Sequence, residues 1–207
     1  MMELTRSTRT KEQVVKGFRT EEILEAARRV IASDGLADAS MERIAGAAGI
    51  SKGTIYLYFD SKETLLARAA EQVVSDLLRR TRGAVQRTRG VRRKLEQAVR
   101  VGIEHSAEHR AFLEALRMDG GLREPPSAES ASEKLHAYLR LISGLIDRGV
   151  RSGAFRAIDS RWTARCLVEM MRTARLDEPA GNTRDRESTA DEIVALLLHG
   201  IGTGERR

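Results

Sequence analysis

Apolar residues return every three or four positions along almost the whole chain, the spacing that lines one face of an α-helix. Little interrupts the pattern. Pro125, Pro126 and Pro179 are the only prolines in 207 residues, and no run alternates β-branched or aromatic residues with polar ones as a strand would. The expected class is therefore all-α, with about nine helices. Residues 1–18 are polar and read as a flexible arm. Thr20 is a candidate N-cap, with Glu21 and Glu22 in the first turn, where the helix dipole favours anions. Ile23, Ala26, Ala27, Val30 and Ile31 then form one stripe, and Gly35 ends the first helix.

Ser40 can cap a short second helix that turns Met41, Ile44, Ala45 and Ala48 inward, and Gly49 stops it. Ser51 caps a third, very short helix to about Leu57. Ser61 caps a fourth to about Thr81, followed by a fifth that carries Val91, Leu95, Ala98, Val99 and Gly102. A sixth spans about 110–118, and Asp119–Pro126 is a loop. A long seventh carries Leu135, Tyr138, Leu139, Ile142, Leu145, Ile146 and Val150 as far as Gly153. Helices over about 160–176 and 188–202 complete the chain.

Composition narrows the setting. One cysteine, Cys166, excludes an internal disulfide. No run approaches the roughly 18–20 apolar residues that span a bilayer, and the first residues carry no secretion signal. A cytoplasmic protein with no membrane role is expected. The net charge is +6, which favours a polyanionic partner. Arg79, Arg80, Arg82, Arg87, Arg89, Arg92, Arg93, Lys94 and Arg100 stand against Glu96 alone between positions 79 and 100. That cluster is either a solvated face or a seat for an anionic headgroup.

Ser40–Leu66 carries the functional signal. A short helix, a Gly-containing turn and a second short helix is the layout of a helix-turn-helix. Ile44, Ala45, Ala48, Ile50 and Ile55 can pack the two helices together. The second helix is too short to stand alone, yet Ser51, Lys52, Thr54, Tyr56 and Tyr58 offer hydroxyls and a cation suited to phosphate oxygens and base edges. Its N-terminus offers free N–H groups to a phosphate, and Gly53 leaves room for close backbone approach.

These residues resemble the TetR family of one-component repressors. The matching segments run Ser40-Met41-Glu42-Arg43-Ile44-Ala45, then Gly49-Ile50-Ser51-Lys52-Gly53-Thr54-Ile55-Tyr56-Leu57-Tyr58-Phe59, then Ser61-Lys62-Glu63-Thr64-Leu65-Leu66. Gly149-Val150-Arg151-Ser152-Gly153-Ala154-Phe155 is similar to the family's turn after its seventh helix. The resemblance implies a three-helix DNA-binding head at 19–66 and an effector-binding and dimerisation domain at 67–207. It makes Ser51–Leu57 the recognition helix, with Lys52, Gly53 and Thr54 facing the groove. Tyr56 and Lys62 become phosphate contacts, Tyr58 a backbone contact or a brace, and Arg43 a contact from the supporting helix. Phe59 reads as core. Residues 1–60 hold nine Lys/Arg and nine Asp/Glu, so this head is not basic as a whole.

The same resemblance implies a homodimer that binds a pseudo-palindromic double-stranded operator and is released by a small effector. Phe112, Leu116, Met118, Tyr138, Trp162, Cys166 and Met170 are large or adaptable apolar groups suited to a pocket for a lipophilic compound such as an acyl-CoA. Core packing is the competing role for each. Ile193, Leu196, Leu197 and Ile201 form the stripe expected at the dimer interface, with help from 160–176. His105 and His109 are four apart and could share a helix face as a metal pair. No third ligand is evident, so neither metal nor cofactor is expected. No nucleophile–base pair, phosphate loop or carboxylate dyad suggests an enzyme. A purely protein-binding helical adaptor would leave Ser51–Tyr58 unexplained.

Overall fold

The computed structural model describes residues 11–118, 128–173 and 186–201. Among these residues lie nine α-helices and no strand: α1 (Lys11–Asp38), α2 (Met41–Ala47), α3 (Lys52–Ile55), α4 (Lys62–Arg87), α5 (Val91–Glu108), α6 (Arg110–Met118), α7 (Ala128–Arg151), α8 (Ser160–Thr173) and α9 (Arg186–Ile201). The loop expected at Asp119–Pro126 and the Pro179 region lie outside the described residues.

The start of the chain differs from expectation. α1 begins at Lys11, so the second half of the expected arm is helical. Thr20 is no cap: its hydroxyl donates back to the Lys16 carbonyl at 2.8 Å from inside the helix. Lys11, Glu12, Gln13 and Lys16 hid this, because a solvated helix and a solvated arm use the same polar residues. Helical geometry breaks at Gly35, where φ is 81°. α3 stops at Ile55, two residues before the expected end, and α4 runs six residues past Thr81 to Arg87.

The chain divides into two compact units, residues 1–69 with 111–127, and residues 70–110 with 128–207. The first contains the helix-turn-helix and also α6. Its core is the predicted α1 stripe of Ile23, Ala26, Ala27, Val30 and Ile31, with Ile44, Ala45, Ile55, Phe59 and Leu65, all buried. α1 packs on α2, and α2 on α3.

In the second unit α5 packs against α7, α8 and α9, and α7 packs against α8. Leu95, Ala98, Val99, Tyr138, Ile142, Leu145, Ile146 and Leu167 form the centre of its core. The turn after α7 is built on a close approach. Phe155 N–H donates to the Gly149 carbonyl at 3.1 Å. The Phe155 ring then lies so near that a Cβ on Gly149 would fall 1.9 Å from its Cδ2. Only glycine leaves space for that ring. Asp159 caps α8 by accepting from the N–H groups of Arg161 and Trp162, both at 2.9 Å.

Candidate nucleic-acid interface and effector domain

α2, α3 and α4 are each held by a side-chain cap at the start. Ser40 Oγ accepts from Arg43 N–H at 3.2 Å, Ser51 Oγ from Thr54 N–H at 3.1 Å and Ser61 Oγ from Thr64 N–H at 3.1 Å. α3 has only four residues and cannot form by propensity. Its register comes from the Ser51 cap and from Ile55, which is fully buried. Gly49 adopts φ 68° between α2 and α3, a left-handed turn that side chains with a Cβ disfavour.

With Ile55 inward, the opposite face of α3 is exposed: Ser51, Lys52, Gly53 and Tyr56 face solvent, and Thr54 and Tyr58 are half-buried. Lys52 Nζ lies 3.3 Å from Glu42, and Arg43 lies 2.7 Å from Asp34. Exposed pairs of this kind are worth about 0–1 kcal/mol, so either cation can exchange its partner for a phosphate. The acidic neighbours explain how an overall neutral head can still offer cations at one surface. Lys62 is placed differently. Its ammonium donates to the Leu36 carbonyl, bracing the start of α4 against the end of α1. Leu57 was not singled out in the sequence, yet it is 76% exposed beside Tyr56. An exposed leucine next to polar groups is the only signal that could have found it.

The effector-side residues divide between the two units. Phe112 and Leu116 are buried on α6 in the first. In the second, Tyr138 is buried in the core, and Met170 packs at its edge. Cys166 is half-buried. Trp162 is 65% exposed, so it does not line the interior of this chain as expected. The side chain of Met118 lies outside the described residues. Sequence reasoning missed Thr81. Its hydroxyl interacts with that of Tyr138, but neither buried oxygen reaches good hydrogen-bond geometry with any group. Burial pushes the Tyr138 phenol well above its ordinary range, so it stays protonated as a donor. A Cβ on Gly102 would lie 3.1 Å from that hydroxyl, which marks close packing of α5 on α7.

Residues 23–69 match the profile of bacterial regulatory proteins of the tetR family, and residues 88–201 match the tetracyclin repressor-like C-terminal domain. The chain belongs to the TetR family. It is a helix-turn-helix transcriptional regulator. The repressor KstR2 of Rhodococcus jostii is 28% identical over 91% of this chain and 93% of its own length. The fatty acid metabolism regulator protein of Bacillus subtilis is 25% identical over 87% and 94%. The structure of FadR from Bacillus subtilis, in complex with stearoyl-CoA, superposes with a TM-score of 0.74 at 23% identity, covering 87% of this chain and 98% of that one. No described helix of this TetR-family regulator is long and apolar enough to cross a membrane.

Two further expectations change. Ile193 and Leu197 lie in the core of their own chain, at 9% and 8% exposure, and not on a surface awaiting a partner. Leu196 does face outward at 65%. The stripe was expected at the dimer interface, but α9 packs on α5 and α8 of the same chain. The side chain of Ile201 lies outside the described residues. Four of the nine basic residues of 79–100 are engaged by other groups of the chain. Arg79 and Arg80 pair with Asp76, Arg92 donates to the Ala154 carbonyl at 3.0 Å, and Arg100 pairs with Asp191.

Proposed function

We propose that this regulator is a cytoplasmic, non-enzymatic, dimeric repressor. It binds a pseudo-palindromic operator through α3 and is released by a largely apolar acyl compound, free or as a coenzyme A thioester. On DNA, Lys52, Gly53 and Thr54 address base edges, with Ser51 and the α3 N-terminus on phosphate. Tyr56, Tyr58, Arg43 and Lys62 hold the backbone, and Leu57 packs on a thymine methyl. Trp162 and Leu196, the large exposed apolar groups of α8 and α9, supply the dimer contact.

The observation that carries the inducer reading is the pair of buried hydroxyls at Thr81 and Tyr138, which have only each other and no well-formed hydrogen bond within an apolar core. A buried hydroxyl left without a partner costs about 1–3 kcal/mol. A ligand carbonyl that accepts from the Tyr138 phenol removes that cost in the ligand-bound state alone, which is the differential affinity an inducer needs. The surrounding Ile142, Leu145 and Met171 suit an acyl chain. The FadR of Bacillus subtilis, similar in fold, binds an acyl-CoA.

The test is release of a labelled operator fragment, followed by fluorescence anisotropy, on titration with acyl-CoAs of increasing chain length and with the matching free acids. Tyr138→Phe keeps the ring and removes the donor, so it should bind operator normally and need about ten-fold more inducer. Release by polar uncharged metabolites only, or an unchanged inducer response in Tyr138→Phe, refutes the reading.

A further inference from the structure

Burial in the second unit leaves one imidazole nitrogen in an unusual position. His105 is 2% exposed, and its Nε2 has no hydrogen-bond partner. His109 follows four residues later as the C-cap of α5, its N–H donating to the His105 carbonyl at 3.2 Å. The two ring centroids are 4.5 Å apart and the rings are tilted by 57°, so they converge without stacking flat. From α4, Asp76 brings Oδ2 to 3.6 Å from His105 Nε2. That is too long for a hydrogen bond. It is close to the roughly 3.3 Å that separates two donors on one tetrahedral ion with bonds of about 2.0–2.1 Å. One donor atom from each of Asp76, His105 and His109 lies within 4.8 Å of the other two.

We propose that Asp76, His105 and His109 form a site for a divalent transition-metal ion, with zinc, nickel or cobalt as the matching class. Two imidazoles and one carboxylate are the ligands such borderline ions prefer, whereas calcium and magnesium take oxygen donors. Three protein ligands leave at least one coordination position for water or another donor. The ion adds a second tie between α4 and α5, beside the Arg80–Glu108 ion pair. The surrounding charges permit this. Arg79 and Arg80 both pair with Asp76, and Arg80 also holds Glu108 at 2.8 Å. An ion on Asp76 takes over the neutralising role of the arginines there, while Arg80 keeps Glu108. The site is independent of the acyl inducer, since it uses neither Tyr138 nor Thr81.

Full-length, tag-free protein stripped with EDTA is titrated with zinc chloride by calorimetry, and with cobalt chloride followed by visible absorption. One ion per protomer is expected, with a cobalt spectrum that reports nitrogen ligands. His109→Ala and Asp76→Asn should each weaken zinc binding at least about ten-fold, and His136→Ala should leave it unchanged. Far-UV circular dichroism checks that each variant is folded, and His109→Gln replaces His109→Ala if the latter is not. Absence of saturable uptake by the wild type overturns the proposal. So does uptake that survives the His109 and Asp76 changes, or that falls with His136→Ala.

Discussion

Replacing Gly149 by alanine tests whether the turn after α7 is closed by ring packing. The new Cβ would fall 1.9 Å from Phe155 Cδ2 and 2.2 Å from Cε2. The ring cannot slide by a few tenths of an ångström to make room, because Phe155 N–H is tied to the Gly149 carbonyl at 3.1 Å. Either the core strains, at about 1–3 kcal/mol or more, or the ring leaves the core, where full loss of a buried phenylalanine costs about 3–5 kcal/mol. Alanine returns about 1 kcal/mol through its better helix propensity. A contact of 1.9 Å puts the strain at or above the top of its range, so the net expectation by either route is a loss of about 2–4 kcal/mol, or roughly 4–16 °C in Tm for a chain of this size. Urea denaturation at one fixed protomer concentration measures it, since dimerisation makes apparent stability concentration-dependent. In a Phe155→Ala background the same substitution should cost almost nothing, because the clashing ring is gone. A Gly149→Ala protein as stable as wild type, or an equal cost in both backgrounds, refutes the packing argument.

Three other predictions concern the DNA head and the surface of α9. Ser51→Ala removes the cap of a four-residue helix and about 1 kcal/mol with it, so operator affinity should fall about five-fold; Ser51→Asn, which can also cap and adds no charge beside the phosphate, should retain more of it. Lys62→Ala should weaken binding to all sequences alike and also lower the urea midpoint through loss of the Leu36 contact, whereas Lys52→Ala should shift preference at one operator position by about 1–3 kcal/mol in a substitution series. Leu196→Glu should yield folded monomers by light scattering, while Leu197→Glu should fail to fold; a folded Leu196→Glu dimer would remove Leu196 from the interface.

Local signals carried the head. A cap is a contact between residues three apart, so Ser40, Ser51 and Ser61 could be read without knowing the tertiary structure. The α1 stripe was legible for the same reason, since burial of one helix face needs only helical periodicity. The close match of Ser40–Leu66 to a family pattern then supplied roles that no spacing rule contains. Where local signals were ambiguous, the reading slipped: Thr20 has the chemistry of a cap but sits inside α1, and Asp159, an ordinary acidic residue in sequence, caps α8.

What escaped the sequence is contact between residues far apart in it. Periodicity puts Leu196 and Leu197 on one apolar stripe, but does not show which of them the chain's own core covers and which is left for a partner. The arginines of 79–100 looked like one basic face because they are close in sequence. Their acids arrive from three directions: Asp76 on the preceding turns of α4, Glu108 at the end of α5 and Asp191 on α9. His105 shows the same limit most sharply. In sequence it has one histidine four residues on, at the C-cap of α5, and no further ligand. Folding adds Asp76 from α4, excludes water from Nε2 and sets the His109 ring beside it. Burial, with His109 as the next cause, pulls the His105 pKa down to about 4, which keeps the ring neutral at physiological pH. A neutral imidazole has a lone pair to give, so the packing that strips this residue of solvent also leaves it able to donate.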